Sequence, residues 1–246
     1  FRYLTIKVNQ GDLKMAMEGM RAMNMRGINL TIPHKVEVLQ YLDELSAAAE
    51  IIGAVNMVVN KNGKLWGENT DGKGYLTSLK DSGISPEGKN IMILGAGGAA
   101  RAISVECALA GAKKITIANI EKEQGEVLVG LLEKRTGVKA EFIMWDKPVE
   151  VPADTYILSN ATSVGLYPDV DQKPSINYDS IHSDMVVTDV IFNDPHSLFL
   201  REAEKRGAKT INGLGMLVNQ GALNFYLWTG VEAPIDVMTN TLKREF

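Results

Sequence analysis

A glycine-rich turn near the middle of the chain constrains the fold more than any other feature of the sequence. An apolar strand at residues 90–94 runs into the turn at residues 95–100, which has the pattern Gly-x-Gly-x-x-Ala, and an amphipathic helix follows at residues 101–110. Glycines in such a turn allow backbone N–H groups to approach a pyrophosphate, and the helix N-terminus adds partial positive charge. Because the strand and the helix flank the turn in the required order, it predicts dinucleotide binding. The residues predicted to hold the pyrophosphate are Gly95, Ala96, Gly97, Gly98 and Ala99.

Apolar strands alternate with amphipathic helices from about residue 70 onward. The strands are predicted at residues 91–94, 115–118, 142–144, 156–158, 185–190 and 210–211. Short buried strands separated by helices indicate a parallel sheet with both faces covered, since parallel strands need a crossover helix between them. A further apolar helix is predicted at residues 216–228, and a last helix after Pro234. The fold class is therefore α/β, with a doubly wound parallel sheet.

The first 70 residues have a different pattern. It predicts a strand at residues 3–8, a helix at 12–25, a strand at 28–32 that stops at Pro33, and a helix from His34 to about residue 45. Residues 54–60 and 64–69 flank the pair Asn62-Gly63, which is typical of a hairpin with a tight turn. These elements predict a smaller α/β unit ahead of the parallel sheet.

The composition excludes several classes of protein. A net charge of -4, with basic and acidic residues interspersed, argues against a surface for nucleic acid, and no apolar run approaches the roughly 20 residues of a membrane-spanning helix. We therefore expect a cytoplasmic protein that uses neither membrane nor nucleic acid. The single cysteine, Cys107, lies in an apolar run that favours a buried thiol over a catalytic one. Because the chain starts with Phe1 and not Met, we also expect a segment upstream of it.

The end of the second strand of the parallel sheet bears on the choice of dinucleotide. An acidic side chain there binds the free ribose hydroxyls of NAD, whereas an arginine binds the 2′-phosphate of NADP. The sequence has Asn119, Ile120, Glu121 and Lys122 at this place. Asn119 and Glu121 are therefore predicted cofactor residues with a preference for NAD over NADP, while Lys122 leaves a phosphate contact open.

Three clusters of polar residues lie where short strands end in the first part of the chain. They contain Thr31 and Lys35, Asn56, and Asp71. An amine and a carboxylate that converge on a substrate hydroxyl can move its proton, while amide and hydroxyl groups orient the ring. The three histidines, His34, His182 and His196, are isolated from one another and from cysteine, so no metal site is predicted.

Six motifs taken together resemble the shikimate dehydrogenase family, including its quinate/shikimate branch. They are Asn29-x-Thr31-x-Pro33-x-Lys35, Gly53-Ala-Val-Asn56, Asn69-Thr-Asp71-Gly72, the glycine turn, Asn160-Ala-Thr-Ser163 and Gly213-Leu-Gly-Met216-Leu-x-x-Gln220. The resemblance extends from the first residues to about Trp228. It implies a Rossmann-type sheet plus a smaller α/β substrate-binding domain, with a cleft between them. The implied reaction is hydride transfer between a nicotinamide dinucleotide, NAD or NADP, and shikimate or 3-dehydroshikimate in aromatic amino-acid biosynthesis.

The resemblance also implies roles for single residues. Lys35 and Asp71 match the catalytic pair, with Lys35 moving the proton of the reacting oxygen and Asp71 holding that geometry. Positions implied to bind the substrate are Thr31, Asn56, Gln220 and Phe192; positions implied beside the nicotinamide are Thr162, Val190, Gly213 and Met216. The implied domains are residues 1–70 with 213–246 for the substrate, and residues 71–212 for the dinucleotide.

Three departures from the family pattern leave alternatives open. The serine-containing loop that binds the substrate carboxylate in relatives would precede Phe1, Phe192 stands where relatives commonly have tyrosine, and Ile120 stands where NADP-using relatives commonly have arginine. The alternatives are an NAD-dependent enzyme that acts mainly on quinate, and a non-catalytic relative that only binds the dinucleotide. A homodimer is compatible with the sequence, which does not fix the oligomeric state.

Overall fold

The computed structural model describes residues 2–245 of the chain, which form two compact units. One unit contains Phe1–Thr70 and Asn224–Val231, and the other contains Asp71–Leu223 and Glu232–Phe246. Of residues 213–246, the contacts group only Asn224–Val231 with the first unit. The assignment of the whole segment to the substrate domain stays a prediction.

The first unit is built around a small four-stranded sheet. Its elements are α1 (Leu13–Ala22), β1 (Gly27–Asn29), α2 (His34–Glu37), a 3₁₀ turn (Val38–Tyr41), β2 (Glu44–Leu45), α3 (Ala47–Ile52), β3 (Met57–Lys61) and β4 (Lys64–Glu68). The strand order is β1-β3-β4-β2. The predicted hairpin is confirmed as β3 and β4, and its turn residues Asn62 and Gly63 have φ angles of 55° and 89°. Such positive values are typical of a type I′ turn.

Two predictions in this unit are wrong. Residues 3–8 form no strand, since β1 has β3 as its only ladder partner among the described residues, and the side chains of Tyr3, Leu4 and Ile6 are largely exposed. The helix expected to reach residue 45 stops at Tyr41. Long-range pairing overrides it, because the backbone N–H of Asp43 donates to the carbonyl of Leu65 at 2.9 Å and draws the chain toward β4.

The second unit contains the predicted parallel sheet, which is confirmed. Its strands are β5 (Asn90–Leu94), β6 (Lys114–Asn119), β7 (Lys139–Met144), β8 (Ile157–Asn160), β9 (Val186–Asp189) and β10 (Lys209–Ile211). The order is β10-β9-β8-β5-β6-β7, and every neighbouring pair is parallel. The order reverses beside β5, and ligands bind at the carboxyl ends of strands next to such a point.

Helices accompany this sheet along the chain. They are α4 (Thr70–Asp81), α5 (Gly98–Leu109), α6 (Lys122–Thr136), α7 (Leu198–Glu204), α8 (Gly213–Thr229) and α9 (Ile235–Glu245). Cys107 is fully buried in α5, where burial raises the pKa of its thiol, as expected for a small core residue. None of the helices described over residues 2–245 combines the length and apolar character needed to cross a membrane.

Candidate functional site

The glycine turn after β5 has the geometry that a phosphate-binding turn requires. Gly95 has a φ of +105°, and a Cβ atom built on it would lie 3.1 Å from both the carbonyl oxygen of Ala161 and the Cγ2 atom of Thr162. Gly97 precedes the first turn of α5, and Cβ atoms built on Gly97 and Gly98 would meet nothing within 4 Å. The helix N-terminus is therefore reachable by an anion, which its unpaired N–H groups and dipole favour.

A cavity of about 600 Å³ lies at this turn, inside the second unit. This volume lies within the usual range of cofactor sites. Five of the predicted cofactor residues line the cavity, namely Gly95, Ala96, Gly97, Asn119 and Thr162. The rest of the lining consists of residues outside the predicted cofactor set: Ile120 after β6, Trp145, Asp146 and Lys147 after β7, Ala161, Ser163 and Val164 after β8, and Gln172, Lys173 and Ser175 in the next loop. The rule that ligands gather at the carboxyl ends of parallel strands would have indicated the residues after β7.

Not every predicted cofactor residue faces the cavity. Gly98 and Ala99 lie in the first turn of α5. Glu121 is the residue before α6, and its Oε2 atom accepts a hydrogen bond from Gln124 Nε2 at 2.6 Å, outside the cavity lining. Its carboxylate therefore has a hydrogen-bond partner in its own helix. Ile120, the other residue behind the expected preference for NAD, does line the cavity.

A buried polar network supports the loops that follow β8 and β9. Asn160 Nδ2 donates to Asp189 Oδ1 at 3.0 Å, and Ser197 Oγ donates to Asp189 Oδ2 at 2.6 Å. Thr162 Oγ1 in turn donates to Asn160 Oδ1 at 2.6 Å, so the cavity residue Thr162 is anchored to the sheet. Burial raises the pKa of Asp189 to about 6, although the hydrogen bonds from Ser197, Ile191 and Asn160 oppose the shift.

The start of α8 packs against the loop after β9. Gly213 N donates to the carbonyl of Ile191 at 3.2 Å, and a Cβ atom at Gly213 would lie 2.5 Å from the carbonyl oxygens of Val190 and Ile191. The predicted nicotinamide residues Val190 and Gly213 are therefore adjacent, with Met216 one turn further along α8. Phe192, which was predicted to bind substrate, is partly buried in the same loop.

Helices α4 and α8 approach each other closely near the predicted substrate residue Gln220. A Cβ atom at Gly74 would lie 2.7 Å from the carbonyl oxygen of Met216 and 2.8 Å from the backbone nitrogen of Gln220. Gln220 Nε2 donates to the carbonyl of Leu217 at 3.0 Å. The absence of a side chain at Gly74 therefore sets how close α4 lies to the turn of α8 that contains Met216 and Gln220.

Backbone hydrogen bonds in the first unit bring three other predicted site residues together. Leu30 N donates to the carbonyl of Asn56 at 2.8 Å, and Val55 N donates to the carbonyl of Lys35 at 2.8 Å. Thr31 follows Leu30 directly, so Thr31 and Lys35 both lie beside the segment that ends at Asn56. The side chain of Thr31 is exposed and that of Lys35 is partly buried.

The side chain of Asn56 is tied to the start of α4. Its Oδ1 atom accepts from Thr70 N at 2.7 Å, its Nδ2 atom donates to Thr70 Oγ1 at 3.0 Å, and Thr70 Oγ1 donates to Asn224 Oδ1 at 2.8 Å. Asp71 is the next residue, in the first turn of α4. Asn224 was missed by the sequence predictions, since no local pattern marks a partner that lies 154 residues from Thr70.

No group of three or more metal-ligating side chains occurs among residues 2–245. His34 is buried, and its Nε2 atom lies 3.1 Å from the carbonyl oxygen of Val8. The glycine turn offers backbone N–H groups to a pyrophosphate, and the adjoining cavity has the volume of a cofactor site.

Two family descriptions match the chain. Residues 1–58 match the shikimate dehydrogenase substrate binding domain, and residues 213–243 match the shikimate 5'-dehydrogenase C-terminal domain. A curated relative from Desulforamulus reducens, named shikimate dehydrogenase (NADP(+)), is 43% identical over 246 residues, which cover 99% of this chain and 84% of the relative.

Two solved structures that resemble the chain are named for different activities. A ligand-free 5-ketofructose reductase from Gluconobacter sp. strain CHM43 has a TM-score of 0.95 and 45% identity, and the match covers 100% of this chain and 88% of that protein. A shikimate 5-dehydrogenase from Listeria monocytogenes in complex with shikimate and NAD has a TM-score of 0.91 and 38% identity, covering 98% and 85%.

Proposed function

The chain belongs to the shikimate dehydrogenase family, and from this membership we propose that it catalyses reversible hydride transfer between NADP and shikimate or 3-dehydroshikimate. The observation that carries the proposal is the 43% identity, over nearly the whole chain, with an enzyme named for this reaction. The fold agrees, since a parallel sheet with a glycine turn beside the strand-order reversal is a dinucleotide-binding arrangement. The chain is accordingly an oxidoreductase of the shikimate pathway.

The dinucleotide residues fit their proposed roles. The backbone N–H groups at Gly97 and Gly98 would hold the pyrophosphate, and the cavity beside Asn119 would hold the adenosine. When bound, the nicotinamide supplies or accepts the hydride. Thr162, which is fixed by Asn160, and Val190 would position its ring.

Lys35 and Asp71 are proposed to handle the proton that accompanies the hydride. Reduction of a ketone leaves negative charge on its oxygen, so a positioned acid must donate to that atom, and oxidation needs the reverse. We assign the donation to the Lys35 ammonium and the orientation of that amine to the Asp71 carboxylate. Thr31, Asn56 and Gln220 are proposed to hydrogen-bond the ring hydroxyls, with Phe192 as an apolar neighbour.

NADP is the preferred dinucleotide in this proposal. The curated relative is named for NADP. Of the two residues behind the expectation of NAD, Ile120 and Glu121, the carboxylate of Glu121 is bonded to Gln124 and does not line the cavity. Two lysines, Lys147 and Lys173, do line it and supply positive charge. The Listeria structure contains NAD, so NAD is expected as a weaker cofactor and not as an excluded one.

The test is a direct assay of the purified chain. Shikimate is added with NADP and, separately, with NAD, and the absorbance of the reduced nicotinamide is followed. We expect turnover with both and a higher kcat/KM with NADP. Absence of turnover with shikimate under both conditions would contradict the proposed reaction, whereas a higher kcat/KM with NAD would contradict only the cofactor preference.

A second candidate function is the reduction of an uncharged ketose. It is favoured by the 5-ketofructose reductase, which matches the chain over its full length with a TM-score of 0.95. The same proton and hydride chemistry applies, because both substrates are polyhydroxylated ketones. They differ in the carbon skeleton and in the carboxylate, which only 3-dehydroshikimate has. Measuring kcat/KM for 3-dehydroshikimate and 5-ketofructose with NADPH separates the two. Quinate as the main substrate has less support, since neither the curated relative nor the Listeria enzyme is named for it.

A further inference from the structure

The cavity wall formed by the ends of β6 and β7 is fixed by backbone pairing. Asn119 pairs in register with Met144, and Trp145 N donates to the carbonyl of Asn119 at 3.0 Å. Trp145 Nε1 donates to the carbonyl of Ser175 at 2.8 Å, which holds the indole against the next loop. Residues 145–147 are therefore held directly beside the end of β6, the part of such a fold that contacts the adenosine ribose.

Three lysines are near this end of the sheet, and they differ in their partners. Lys173 Nζ lies 3.7 Å from a carboxylate oxygen of Glu202 and 4.4 Å from the centre of the Tyr178 ring. Lys122 does not line the cavity, and its ammonium lies 3.7 Å from Glu126.

Lys147 differs from both. It lines the cavity, and no carboxylate of residues 2–245 comes within 4 Å of its ammonium. Its side chain is exposed, and an exposed lysine at a cavity without a counter-charge is suited to bind an anion there.

We propose that Lys147 binds the 2′-phosphate of NADP and so replaces the basic residue that the chain lacks at position 120. The proposal rests on the NADP preference proposed above. Ile120 also lines the cavity and is 66% exposed, so it offers an apolar surface and no hydrogen-bond donor. Asp146, the other charged residue of this wall, is exposed, and its carboxylate repels a phosphate. The Lys147 side chain must therefore extend beyond the Asp146 carboxylate to contact the phosphate.

The experiment measures binding without turnover. Isothermal titration calorimetry compares adenosine 2′,5′-bisphosphate with adenosine 5′-monophosphate, which differ only in the 2′-phosphate. Because a hydrogen bond to a charged group contributes about ten- to a hundredfold in affinity, we expect wild type to prefer the bisphosphate by about tenfold or more. Lys147→Gln should lose most of this preference and Lys147→Arg should retain it.

Further variants sharpen the assignment. Asp146→Asn should increase the preference for the bisphosphate, because it removes a like charge. Lys134→Gln, an exposed lysine in the last turn of α6, is the matched control and should bind both ligands as wild type does. Lys122→Gln tests the rival lysine, and the unfolding midpoint of each variant checks that it is folded.

The outcomes separate the two proposals. A preference for the bisphosphate that survives in Lys147→Gln, or that is lost in Lys122→Gln instead, overturns the role of Lys147 and leaves NADP use intact. Equal affinity of the wild-type chain for the two ligands contradicts the NADP preference and the role of Lys147 together. In steady-state assays the ratio of kcat/KM for NADPH to that for NADH should fall in Lys147→Gln by the same factor as the binding preference.

Discussion

Asn56 Oδ1 accepts a hydrogen bond from the backbone N–H of Thr70 at 2.7 Å, so a residue from another part of the first unit completes the start of α4. The first N–H groups of a helix have no partner inside the helix, and a side-chain oxygen commonly satisfies one of them. Two further hydrogen bonds reinforce this cap. Thr70 Oγ1 accepts a hydrogen bond from Asn56 Nδ2 and donates one to Asn224 Oδ1. The next residue is Asp71, so this bond fixes the backbone from which the proposed catalytic carboxylate extends.

Asn56→Ala is expected to lower both stability and turnover. It leaves the buried N–H of Thr70 without its acceptor, which costs about 1–3 kcal/mol in the free energy of unfolding. The start of α4 then becomes less well fixed, so kcat should fall as well. Urea denaturation and steady-state kinetics measure the two effects. Asn240→Ala, at an exposed position of α9, is the control and should change neither; wild-type stability in Asn56→Ala would exclude the capping role.

Gly95→Ala is expected to weaken dinucleotide binding. The φ of +105° is strained for alanine, and the new methyl group would press on Ala161 and Thr162 at 3.1 Å. Gly83→Ala is a matched control, because Gly83 also has a positive φ, +75°, but has open space around its Cβ position. Both variants should lose about 1 kcal/mol of stability from backbone strain.

The difference between the two glycine variants isolates the close approach at the turn. Only Gly95→Ala should raise the dissociation constant for NADP, by about tenfold or more if the loss of fit amounts to about 1.4 kcal/mol. Fluorescence titration with NADP gives the measurement. Equal NADP affinities in the two variants would mean that the contact between Gly95 and the segment 161–162 does not shape the site.

Lys35→Ala is expected to reduce kcat far more than it raises KM for shikimate. General acid–base catalysis contributes about 10²–10⁴-fold to a rate, so a loss in this range is expected. Lys64→Ala, an exposed lysine of β4, serves as the control. If kcat of Lys35→Ala stayed within twofold of wild type, Lys35 would have no part in the proton transfer.

The sequence predicted the parts of the structure that depend on local pattern. The strand, turn and helix from Asn90 to Leu109 are contiguous in the chain, and glycine spacing and apolar periodicity identify them directly. The hairpin at Asn62-Gly63 is local in the same sense, because the two turn residues determine it.

The features that the sequence did not predict depend on long-range contacts. Residues 3–8 have a strand-like composition, yet no strand of the described chain pairs with them. The helix predicted to reach residue 45 ends before Leu42, because the backbone of Asp43 pairs with Leu65. Asn224 and Lys147 carry no motif, and only the folded chain brings them to Thr70 and to the cavity. Apolar periodicity describes one segment at a time, so it does not predict contacts between segments that are distant in the sequence.

Asp189 is expected to make the stability of the protein depend on pH in the weakly acidic range. Burial raises the pKa of its carboxyl from 3.8 to about 6. Below about pH 4 the carboxyl is protonated in both the folded and the unfolded chain, so its contribution to stability is fully present. Between pH 4 and 6 the unfolded chain releases the proton first, so the free energy of unfolding falls as the pH rises, and above about pH 6 it levels off. At 1.36 kcal/mol per pKa unit, the fall is roughly 3 kcal/mol.

Asp189→Asn isolates this effect from that of other carboxyl groups. The pKa of Glu202 is lowered to about 2, chiefly by its hydrogen bond with Lys205, so Glu202 makes the free energy of unfolding rise with pH. This contribution is the same in wild type and variant and cancels in their difference. The amide cannot titrate. Its NH₂ group also points toward a hydrogen-bond donor, because Asp189 accepts from Asn160, Ile191 and Ser197. The variant should therefore be less stable than wild type at every pH. Its deficit relative to wild type should be largest near pH 4 and shrink toward pH 6, as measured by urea denaturation at a series of pH values. A deficit that is constant over this range would show that Asp189 stays ionised in the folded protein, held so by its three donors.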